Sequence, residues 1–396
     1  MAMFETLTAA PPDSILGLSE AFNRDPNPRK INLSVGVYQD AEGRTPVLRC
    51  VKAAEQRLLE GEATKTYLGI DGLPDYRRHV QKLVFEGAIG AERVAVVQTP
   101  GGTGALRVAA DFLADLLPAA KLWHSNPTWA NHPAIFAAAG LDVETYPYLN
   151  SQRTGLDFEA MLDALQSGPR SGDVVLLHAC CHNPTGVDPS EEQWRQIADV
   201  LASRGLLPLV DFAYQGFGEG LSEDARGLQL LLEKCDEVLV ASSFSKNFGL
   251  YSERVGALSL VARDSDQAAV GMSQLKRIVR TNYSNPPRHG GAVVATVLDD
   301  AELTELWHQE LAEMRERIAD MRSAFVEAMR THAPDRDFSF LLDQKGMFSF
   351  SGLNPMQVDR LKSEHSVYIV GSGRINVAGI TRANLQPLCE AVAAVL

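Results

Sequence analysis

Short apolar runs alternate with helical patterns over residues 93–261, and this alternation limits the folds open to the chain. Seven runs have the length and apolar content of strands: RVAVVQT, KLWHS, LDVETYPY, DVVLLHAC, LLPLVDF, EVLVASS and VGALSLV. Helical patterns lie between several of them, such as SEEQWRQIADVLASRG, which opens on Ser190 as an N-cap. Because strands that alternate with helices form a mostly parallel sheet covered on both faces, we predict an α/β fold with a seven-stranded sheet.

The pattern changes after Asp299, where a long amphipathic helical stretch begins and runs to about residue 332. Short strand-like and helical runs follow it to the C-terminus, which is typical of a smaller α+β unit. A chain of 396 residues is long enough for two domains. We predict a large domain over residues 45–300 and a small domain made of 13–44 and 301–396.

Composition argues against several classes of partner. The formal net charge is −13 and no basic cluster is present, so we expect no nucleic-acid partner. No run reaches the roughly 20 apolar residues that span a bilayer, and the N-terminus lacks the pattern of a signal peptide. The cysteines are few, odd in number and scattered, which favours reduced thiols and a cytoplasmic location. They are Cys50, Cys180, Cys181, Cys235 and Cys389.

A polar segment, SSFSKNFGLYSERVG, follows an apolar strand and carries Lys246. Ligands of open parallel sheets bind beyond the carboxyl ends of the strands. The hydroxyls of Ser243 and Ser245 and the guanidinium of Arg254 suit a phosphate dianion. A lysine held among them can bond covalently to an aldehyde, and the alternative is a solvated lysine in a surface loop.

Asp211 ends the apolar run LLPLVD, so its carboxylate is expected at the same edge of the sheet. A carboxylate there can keep a pyridine nitrogen protonated, although a helix cap or a structural ion pair would explain it equally. Tyr214 follows three residues later and can donate to a phenolate oxygen. The turn TPGGTGALR is either a structural turn or an anion cradle at a helix N-terminus, formed by Gly101, Gly102 and Thr103. It lacks the Gly-Lys-Ser/Thr ending of a P-loop.

The segment HACCHNPTG raises a metal hypothesis. On a continuous strand, His178, Cys180 and His182 would share one face and Cys181 would point away. Because no second ligand cluster in the sequence completes a tetrahedral site, we predict no metal. Asn183 is expected just past the strand, where its amide can donate to a ring oxygen. The dipeptides Asn183–Pro184 and Asn126–Pro127 can each be cis.

Two arginines are candidate carboxylate ligands, because a guanidinium can clamp a carboxylate through two parallel hydrogen bonds. Arg374 lies in SGRINVAG, between two short strand-like runs of the predicted small domain. Arg280 lies in IVRTNYSNPP. Each would otherwise be a surface ion pair, the usual state of an arginine.

Taken together, these segments resemble the aspartate and aromatic aminotransferases, which are fold-type I pyridoxal-phosphate enzymes of subclass I-alpha. Bacterial aspartate aminotransferases are the most similar. The resemblance extends from FETLTAAPPDSILGL to the C-terminus. Its segments, in the order and spacing of the family, are KTYLGIDG, TPGGTGALR, CCHNPTG, DFAYQGF, SSFSKNFGLYSERVG, NYSNPP and SGRINVAG.

The resemblance implies pyridoxal 5′-phosphate as the cofactor, with Lys246, Asp211 and Tyr214 as the catalytic residues. It implies that Lys246 anchors the cofactor and Asp211 pairs with its pyridine nitrogen. The other residues implied at the cofactor are Gly102, Thr103, Trp129, Asn183, Ser243, Ser245, Arg254 and, from a neighbouring subunit, Tyr67. Those implied at the substrate are Arg374, the neighbour's Arg280, Asn183, Trp129 and Gly36, and His132 and His178 are implied to support Asp211.

The family forms obligate homodimers with shared active sites, and residues 1–12 are implied to form an N-terminal arm. The expected reaction is ping-pong transamination between L-aspartate and 2-oxoglutarate, which gives oxaloacetate and L-glutamate. Aromatic or dual specificity is the alternative: Val37, Thr45, Thr103 and Asn285 match the aspartate pattern, whereas Gln39, Thr66 and Ala130 depart from it. Two other classes stay open, a catalytically idle binding module and a nucleotide-binding α/β protein built on the glycine turn.

Overall fold

The computed structural model describes residues 4–9 and 16–396, and its largest element is a seven-stranded sheet. The strands are β1 (Ile31–Asn32), β2 (Val94–Pro100), β3 (Lys121–Asn126), β4 (Asp142–Pro147), β5 (Val174–His178), β6 (Leu207–Phe212), β7 (Val238–Ser243), β8 (Val255–Val261), β9 (Phe348–Phe350), β10 (Val367–Tyr368) and β11 (Arg374–Asn376). The seven runs predicted as strands of a sheet are β2 to β8.

The α-helices cover both faces of this sheet and most of the rest of the chain. They are α1 (Leu16–Arg24), α2 (Arg49–Gly61), α3 (Pro74–Phe85), α4 (Gly101–Leu116), α5 (Asn131–Ala138), α6 (Phe158–Ser167), α7 (Glu191–Arg204), α8 (Leu221–Asp224), α9 (Arg226–Lys234), α10 (Ser265–Asn282), α11 (His289–Asp299), α12 (Ala301–His332), α13 (Pro355–His365) and α14 (Arg382–Val395). Short 3₁₀ turns lie at Ala91–Arg93, Ser339–Asp343 and Val377–Gly379.

The strand order of the large sheet is β2-β8-β7-β6-β5-β3-β4. Every neighbouring pair is parallel except the two that β8 makes, which are antiparallel. Strand β5 has apolar residues on both faces: Val175 and Leu177 pack in one buried cluster, and Val174 and Leu176 pack in another. Alternate side chains of a strand point to opposite faces, so both faces are covered. The predicted α/β fold is confirmed.

Local sequence signals account for both ends of α7. Ser190 is the N-cap of α7: its side chain accepts from the Gln193 amide, and the Gln193 side chain accepts from the Ser190 amide in return. Gly205 ends the helix with a φ of +63°, a conformation that glycine adopts without steric cost. The predicted N-cap is confirmed.

The C-terminal part of the chain is built around α12, which has 32 residues and matches the long helical pattern predicted after Asp299. Strands β1 and β10 pair in parallel, so residues 31–32 join residues 367–368, and β9 pairs antiparallel with β11. The proposed domain boundaries stay a prediction. Of the arm predicted at residues 1–12, only 4–9 are among the described residues. No helix within 4–9 and 16–396 has the length and apolar character needed to cross a membrane.

A buried glutamate joins α12 to α2. The N-cap of α2 is Leu48, whose side chain cannot accept a hydrogen bond. The carboxylate of Glu310 accepts from the first amides of the helix in its place. Its two oxygens accept from the amides of Arg49 at 2.7 Å and Cys50 at 3.0 Å, and Glu310 is 6% exposed. A carboxylate at this position satisfies free N–H groups and lies at the positive end of the helix dipole.

We predict that Glu310→Gln lowers the free energy of unfolding by about 2 kcal/mol, because the amide removes the negative charge and one of the two acceptors. Equilibrium urea unfolding at a fixed protein concentration measures it. The control is Glu313→Gln, since Glu313 is an exposed partner of Arg49 at 3.7 Å and should change stability by less than about 0.5 kcal/mol. Equal effects of the two substitutions would contradict the capping role.

Candidate active site

Three parallel strands end side by side and bring polar residues to one edge of the sheet. In the ladder, His178 of β5 pairs with Asp211 of β6, and Phe212 of β6 pairs with Ser242 of β7. Because the strands are parallel, their carboxyl ends meet at one edge, where α4 also begins. The predicted position of Asp211 beside the Lys246 segment follows from this register.

A cavity of about 240 Å³ opens at this edge. It brings together most of the residues predicted for the cofactor and the substrate. Its lining is Gly36, Gly102, Thr103, Leu106, Trp129, Asn183, Asp211, Ala213, Tyr214, Ser243, Ser245, Lys246, Tyr251, Arg254, Phe348 and Arg374.

Asp211 is buried, and its charge is held by a chain of hydrogen bonds. Burial alone would raise the pKa of Asp211, but the hydrogen bond from His132 and the nearby His132 and Lys246 charges outweigh it and lower the pKa. The His132 Nε2 lies 3.0 Å from the Asp211 Oδ2, and the Thr128 hydroxyl lies 2.8 Å from the His132 Nδ1. His132 therefore lies beside the carboxylate at hydrogen-bond distance, and Asp211 stays ionised at neutral pH.

His178 lies in the same buried group, with its ring centroid 5.2 Å from that of His132. Neither of its ring nitrogens has a hydrogen-bond partner among the described residues. Burial lowers the pKa of His178 to about 3, so the ring is neutral. The structure thus places His178 next to the Asp211 group without a direct hydrogen bond to it.

Lys246 lies in the cavity with its amino nitrogen 4.7 Å from the centre of the Tyr214 ring. Burial lowers its pKa to about 8; the Asp211 charge opposes this shift and the Arg254 charge adds to it. The segment after Lys246 is fixed by α12: the Trp307 indole donates to the Asn247 carbonyl at 2.8 Å and stacks on Phe248 at 4.4 Å. The lysine is therefore held on a rigid support, and a minor part of its amine is neutral at physiological pH.

The glycine turn and Arg254 enclose one end of the cavity. A Cβ at Gly101 would lie 2.5 Å from the Arg254 Nη2, and a Cβ at Gly102 would lie 3.1 Å from the Ser243 Cβ. Gly101 also has a φ of +73°. The Arg254 Nη1 donates to the Ser245 hydroxyl at 3.3 Å, and Arg254 makes no ion pair with any described residue. Free amides of the α4 N-terminus, two hydroxyls and an unpaired guanidinium form a cradle for an anion.

Arg374 lies at the other end of the cavity and is 4% exposed. Its Nη2 donates to the Ser34 carbonyl at 2.6 Å and its Nη1 to the Asn183 side chain at 3.4 Å, while its Nε has no partner. The guanidinium stacks over Phe348 at 4.2 Å. Burial lowers the pKa of Arg374 to about 10, so it stays cationic at neutral pH and has no acidic partner among the described residues. It is a second site for an anion.

Two residues predicted to contact the cofactor or the substrate lie outside this cavity. Tyr67 is 89% exposed, and Arg280 is exposed with its guanidinium bonded to the Ser284 hydroxyl. Tyr251 and Phe348 also line the cavity and were not among the predicted residues. In the sequence, Tyr251 lies between Lys246 and Arg254, and its place in this predicted cofactor-binding segment could have identified it as a cavity residue. No local pattern indicated Phe348.

The geometry assumed for the metal hypothesis is not found. Strand β5 ends at His178, and Cys181 has a φ of +51°, so the alternation expected along 178–182 stops. The expectation that Cys181 points away from Cys180 is wrong, because their sulfur atoms lie within 4.8 Å of each other. His182 instead bonds to the hydroxyls of Ser125 and Thr185. Both Asn126–Pro127 and Asn183–Pro184 are cis.

The fold and the lysine-bearing cavity together define an aminotransferase. The model of the family "aminotransferase class I and II" matches residues 28–392, and the chain belongs to this family. Members exchange amino groups between amino acids and 2-oxo acids. The predicted family, and the prediction of an enzyme with these small-molecule substrates, are confirmed.

Individual relatives are similar over their whole length. The aspartate aminotransferase of Salmonella typhi is 55% identical over 100% of both chains. The aromatic-amino-acid aminotransferase of Burkholderia pseudomallei, solved covalently bound to pyridoxal phosphate, is 50% identical and has a TM-score of 0.97 over 100% of both chains. The aromatic amino acid aminotransferase of Psychrobacter sp. B6, cocrystallised with aspartic acid, is 42% identical with a TM-score of 0.97 over 99% of both chains.

We predict that the amine of Lys246 in the cofactor-free protein becomes reactive with a midpoint near its pKa of about 8. Below that pH the ammonium cannot attack an electrophile, and above it the neutral amine can. Competitive labelling with acetic anhydride, followed by peptide mass spectrometry and with the exposed Lys52 as internal reference, measures the midpoint. Asp211→Asn should move it to lower pH, because the carboxylate stabilises the ammonium; an unchanged or higher midpoint would refute this coupling.

Proposed function

We propose that this chain catalyses transamination between L-aspartate and 2-oxoglutarate with pyridoxal 5′-phosphate, giving oxaloacetate and L-glutamate. One observation carries the proposal: the amine of Lys246, the ionised carboxylate of Asp211 and the unpaired guanidinium of Arg374 face a single cavity. Amino-group transfer requires three groups from the protein: an amine to act as base, a carboxylate for the cofactor's ring nitrogen and a cation to bind the substrate's carboxylate.

The cavity fits the cofactor. Glycines at 101 and 102 leave space that a Cβ would fill beside Arg254 and Ser243, and unpaired donors there suit a phosphate group. Asp211 would bind the pyridine nitrogen, and Tyr214 and Asn183 would hold the phenolic oxygen. Trp129 would cover one face of the ring. The bound cofactor supplies an electron-accepting ring that spreads the charge released at the substrate's Cα.

Lys246 acts as the base. A pKa of about 8 leaves part of the amine neutral at physiological pH, so it can accept the proton from the substrate's Cα and return it when the second substrate reacts. Asp211 stays ionised because His132 donates to it at 3.0 Å. Burial raises the pKa of Tyr214, so its hydroxyl remains a donor. The same residues serve both half-reactions in turn, so the first product leaves before the second substrate binds. The kinetics are therefore ping-pong.

Arg374 binds the substrate's α-carboxylate. Its Nε lacks a partner, and its two other bonds go to neutral oxygens, so an incoming carboxylate would be its only counter-charge. Gly36 leaves room there: a Cβ on it would lie 2.8 Å from the Phe348 ring. A clamp at this point fixes the amino group of the substrate near Lys246.

The distal carboxylate of aspartate needs a second cation. Arg280 and Tyr67 are both exposed and outside the cavity of their own chain. We therefore propose a homodimer in which each chain lends these two residues to its neighbour's site, Arg280 for the distal carboxylate and Tyr67 for the phosphate. Exposed apolar side chains at Val47 and Leu59 (54% and 77% exposed) are compatible with burial in such a dimer.

Aspartate is proposed over aromatic substrates because the Salmonella typhi relative, at 55% identity, is an aspartate aminotransferase. The aromatic relatives of known structure are similar enough to keep aromatic substrates as a measurable alternative.

We also propose the division into a small domain (13–44 and 301–396), a large domain (45–300) and an arm (1–12). The five buried free thiols support a cytoplasmic location.

We predict that Lys246→Ala lowers transamination by at least ~10³-fold, because it removes the base and the cofactor's anchor. Lys52→Ala, on the exposed face of α2, is the matched control and should retain full activity. Activity is compared as kcat/KM for L-aspartate, L-phenylalanine and L-tyrosine with 2-oxoglutarate. Retained turnover in Lys246→Ala would reject the assignment, and a higher value for an aromatic substrate would reject the aspartate preference.

We predict that Arg280→Ala lowers kcat/KM for aspartate by ~100-fold or more and for phenylalanine by less than ~10-fold, because only aspartate has a distal carboxylate. The dimer is tested by dissociating and mixing Arg280→Ala with Lys246→Ala. Each hybrid dimer would contain one intact site, so random pairing restores about a quarter of wild-type activity. No recovery despite proven hybrid formation would show that the sites are not shared.

A further inference from the structure

A second pocket, of about 550 Å³, lies outside the catalytic cavity and shares no lining residue with it. Its lining contains six carboxylates and two cations, which gives a formal net charge of −4. The carboxylates are Glu86, Asp188, Glu191, Glu219, Glu223 and Asp224, and the cations are Arg226 and Lys345. A concave surface with one sign of charge concentrates ions of the opposite sign, so this pocket attracts cations.

The cations of the pocket are already paired at its edge. Arg226 lies 3.0 Å from Glu191, and Lys345 lies 2.8 Å from Glu219. Asp188 and Asp224, in contrast, form no ion pair with any residue of 4–9 and 16–396. A half-buried carboxylate (Asp188) and a buried one (Asp224) without an ion-pair partner leave negative charge that a cation would neutralise.

Cys180, Cys181 and Asp224 place their ligand atoms together beside this pocket. The two sulfur atoms and a carboxylate oxygen all lie within 4.8 Å of one another, and the residues are 7%, 3% and 6% exposed. Ligands in a tetrahedral zinc site, with bonds of about 2.0–2.3 Å, lie roughly 3.5–3.8 Å apart. Small side-chain rotations would therefore bring the three atoms onto one ion.

We propose that Cys180, Cys181 and Asp224 bind a thiolate-preferring divalent cation of the zinc and cadmium class. Two sulfurs and one carboxylate favour such an ion over magnesium or calcium, which prefer oxygen ligands. Cys180 and Asp224 both line the pocket, so water could reach a fourth position on the ion. Each thiol gives its proton to solvent on binding, so two protons leave for each ion bound. The site is independent of the proposed transamination.

Hydrogen bonds around the site hold its ligands in place. The Asp224 carboxylate accepts from the amides of Gly216, Gly218 and Glu219 at 2.8–2.9 Å, which fixes its position beside the thiols. Asp188 accepts from the amides of Cys181 at 2.6 Å and His182 at 2.8 Å and so fixes the segment that carries the thiols. Such support around the ligands is what makes a metal site specific.

The test is a cadmium titration of the cofactor-loaded protein, followed by the ultraviolet charge-transfer absorption of cadmium bound to thiolate. We expect one equivalent per chain in the wild type, no band in Cys180→Ser or Cys181→Ser, and binding weakened ~10-fold or more in Asp224→Asn. Cys235→Ser is the matched control, because Cys235 is also a buried free thiol but lies elsewhere, and it should keep the band. Circular dichroism verifies that each variant is folded.

A second measurement needs no variant. X-ray absorption of the zinc-loaded wild type should show two sulfur neighbours at ~2.3 Å and oxygen or nitrogen neighbours at ~2.0–2.2 Å. A shell of oxygen and nitrogen alone would overturn the proposal. So would the absence of a cadmium band in the wild type, its persistence in Cys180→Ser or Cys181→Ser, or its loss in Cys235→Ser.

Discussion

The register of the parallel ladder formed by β5, β6 and β7 is the constraint on which the catalytic cavity depends. It pairs His178 with Asp211 and Phe212 with Ser242, so the Asp211 carboxylate and the Lys246 segment reach one edge. Side chains alternate along a strand, and a shift of one residue would turn Asp211 to the opposite face. The strands are buried on both faces, and their apolar packing fixes the register more strongly than any polar contact in the cavity could.

The rigid edge of the sheet holds unpaired cations in a cavity, an arrangement that desolvation makes unfavourable. Lys246, Arg254 and Arg374 line one cavity, and none of them forms an ion pair with a described residue. Desolvation of an unpaired cation costs free energy, which appears here as the lowered pKa of Lys246 and of Arg374. Anions at the two ends of the cavity would offset that cost. The unpaired positive charge in the cavity therefore explains two features. It accounts for the affinity expected for a phosphate group and for a carboxylate, and it accounts for the partly neutral amine of Lys246.

Most of the fold could be predicted because its signals are local. Each strand of the large sheet is an apolar run bounded by turn residues, and Ser190 with Gln193 identifies the start of α7 from four residues. The antiparallel direction of β8 has no such signal, since its apolar composition is like that of the other strands of the sheet. Tyr67 was named only through a family resemblance, and Arg280 was a candidate carboxylate ligand whose place in a neighbour's site came only from that resemblance, because both proposed roles depend on a second chain. Phe348 reaches the cavity from a distant part of the sequence, so no short motif could reveal it.

The metal hypothesis shows where local reasoning fails and what tertiary structure adds. The sequence offers His178 and His182 beside the two cysteines, but the ligand atom that lies near both thiols belongs to Asp224, because the fold brings the end of α8 to the segment after β5. That segment serves two sites, since Asn183 lines the catalytic cavity while Cys180 lines the acidic pocket. Coupling between two binding sites is reciprocal. Any effect of a bound ion on substrate affinity through residues 180–183 must therefore equal the effect of the substrate on the affinity for that ion.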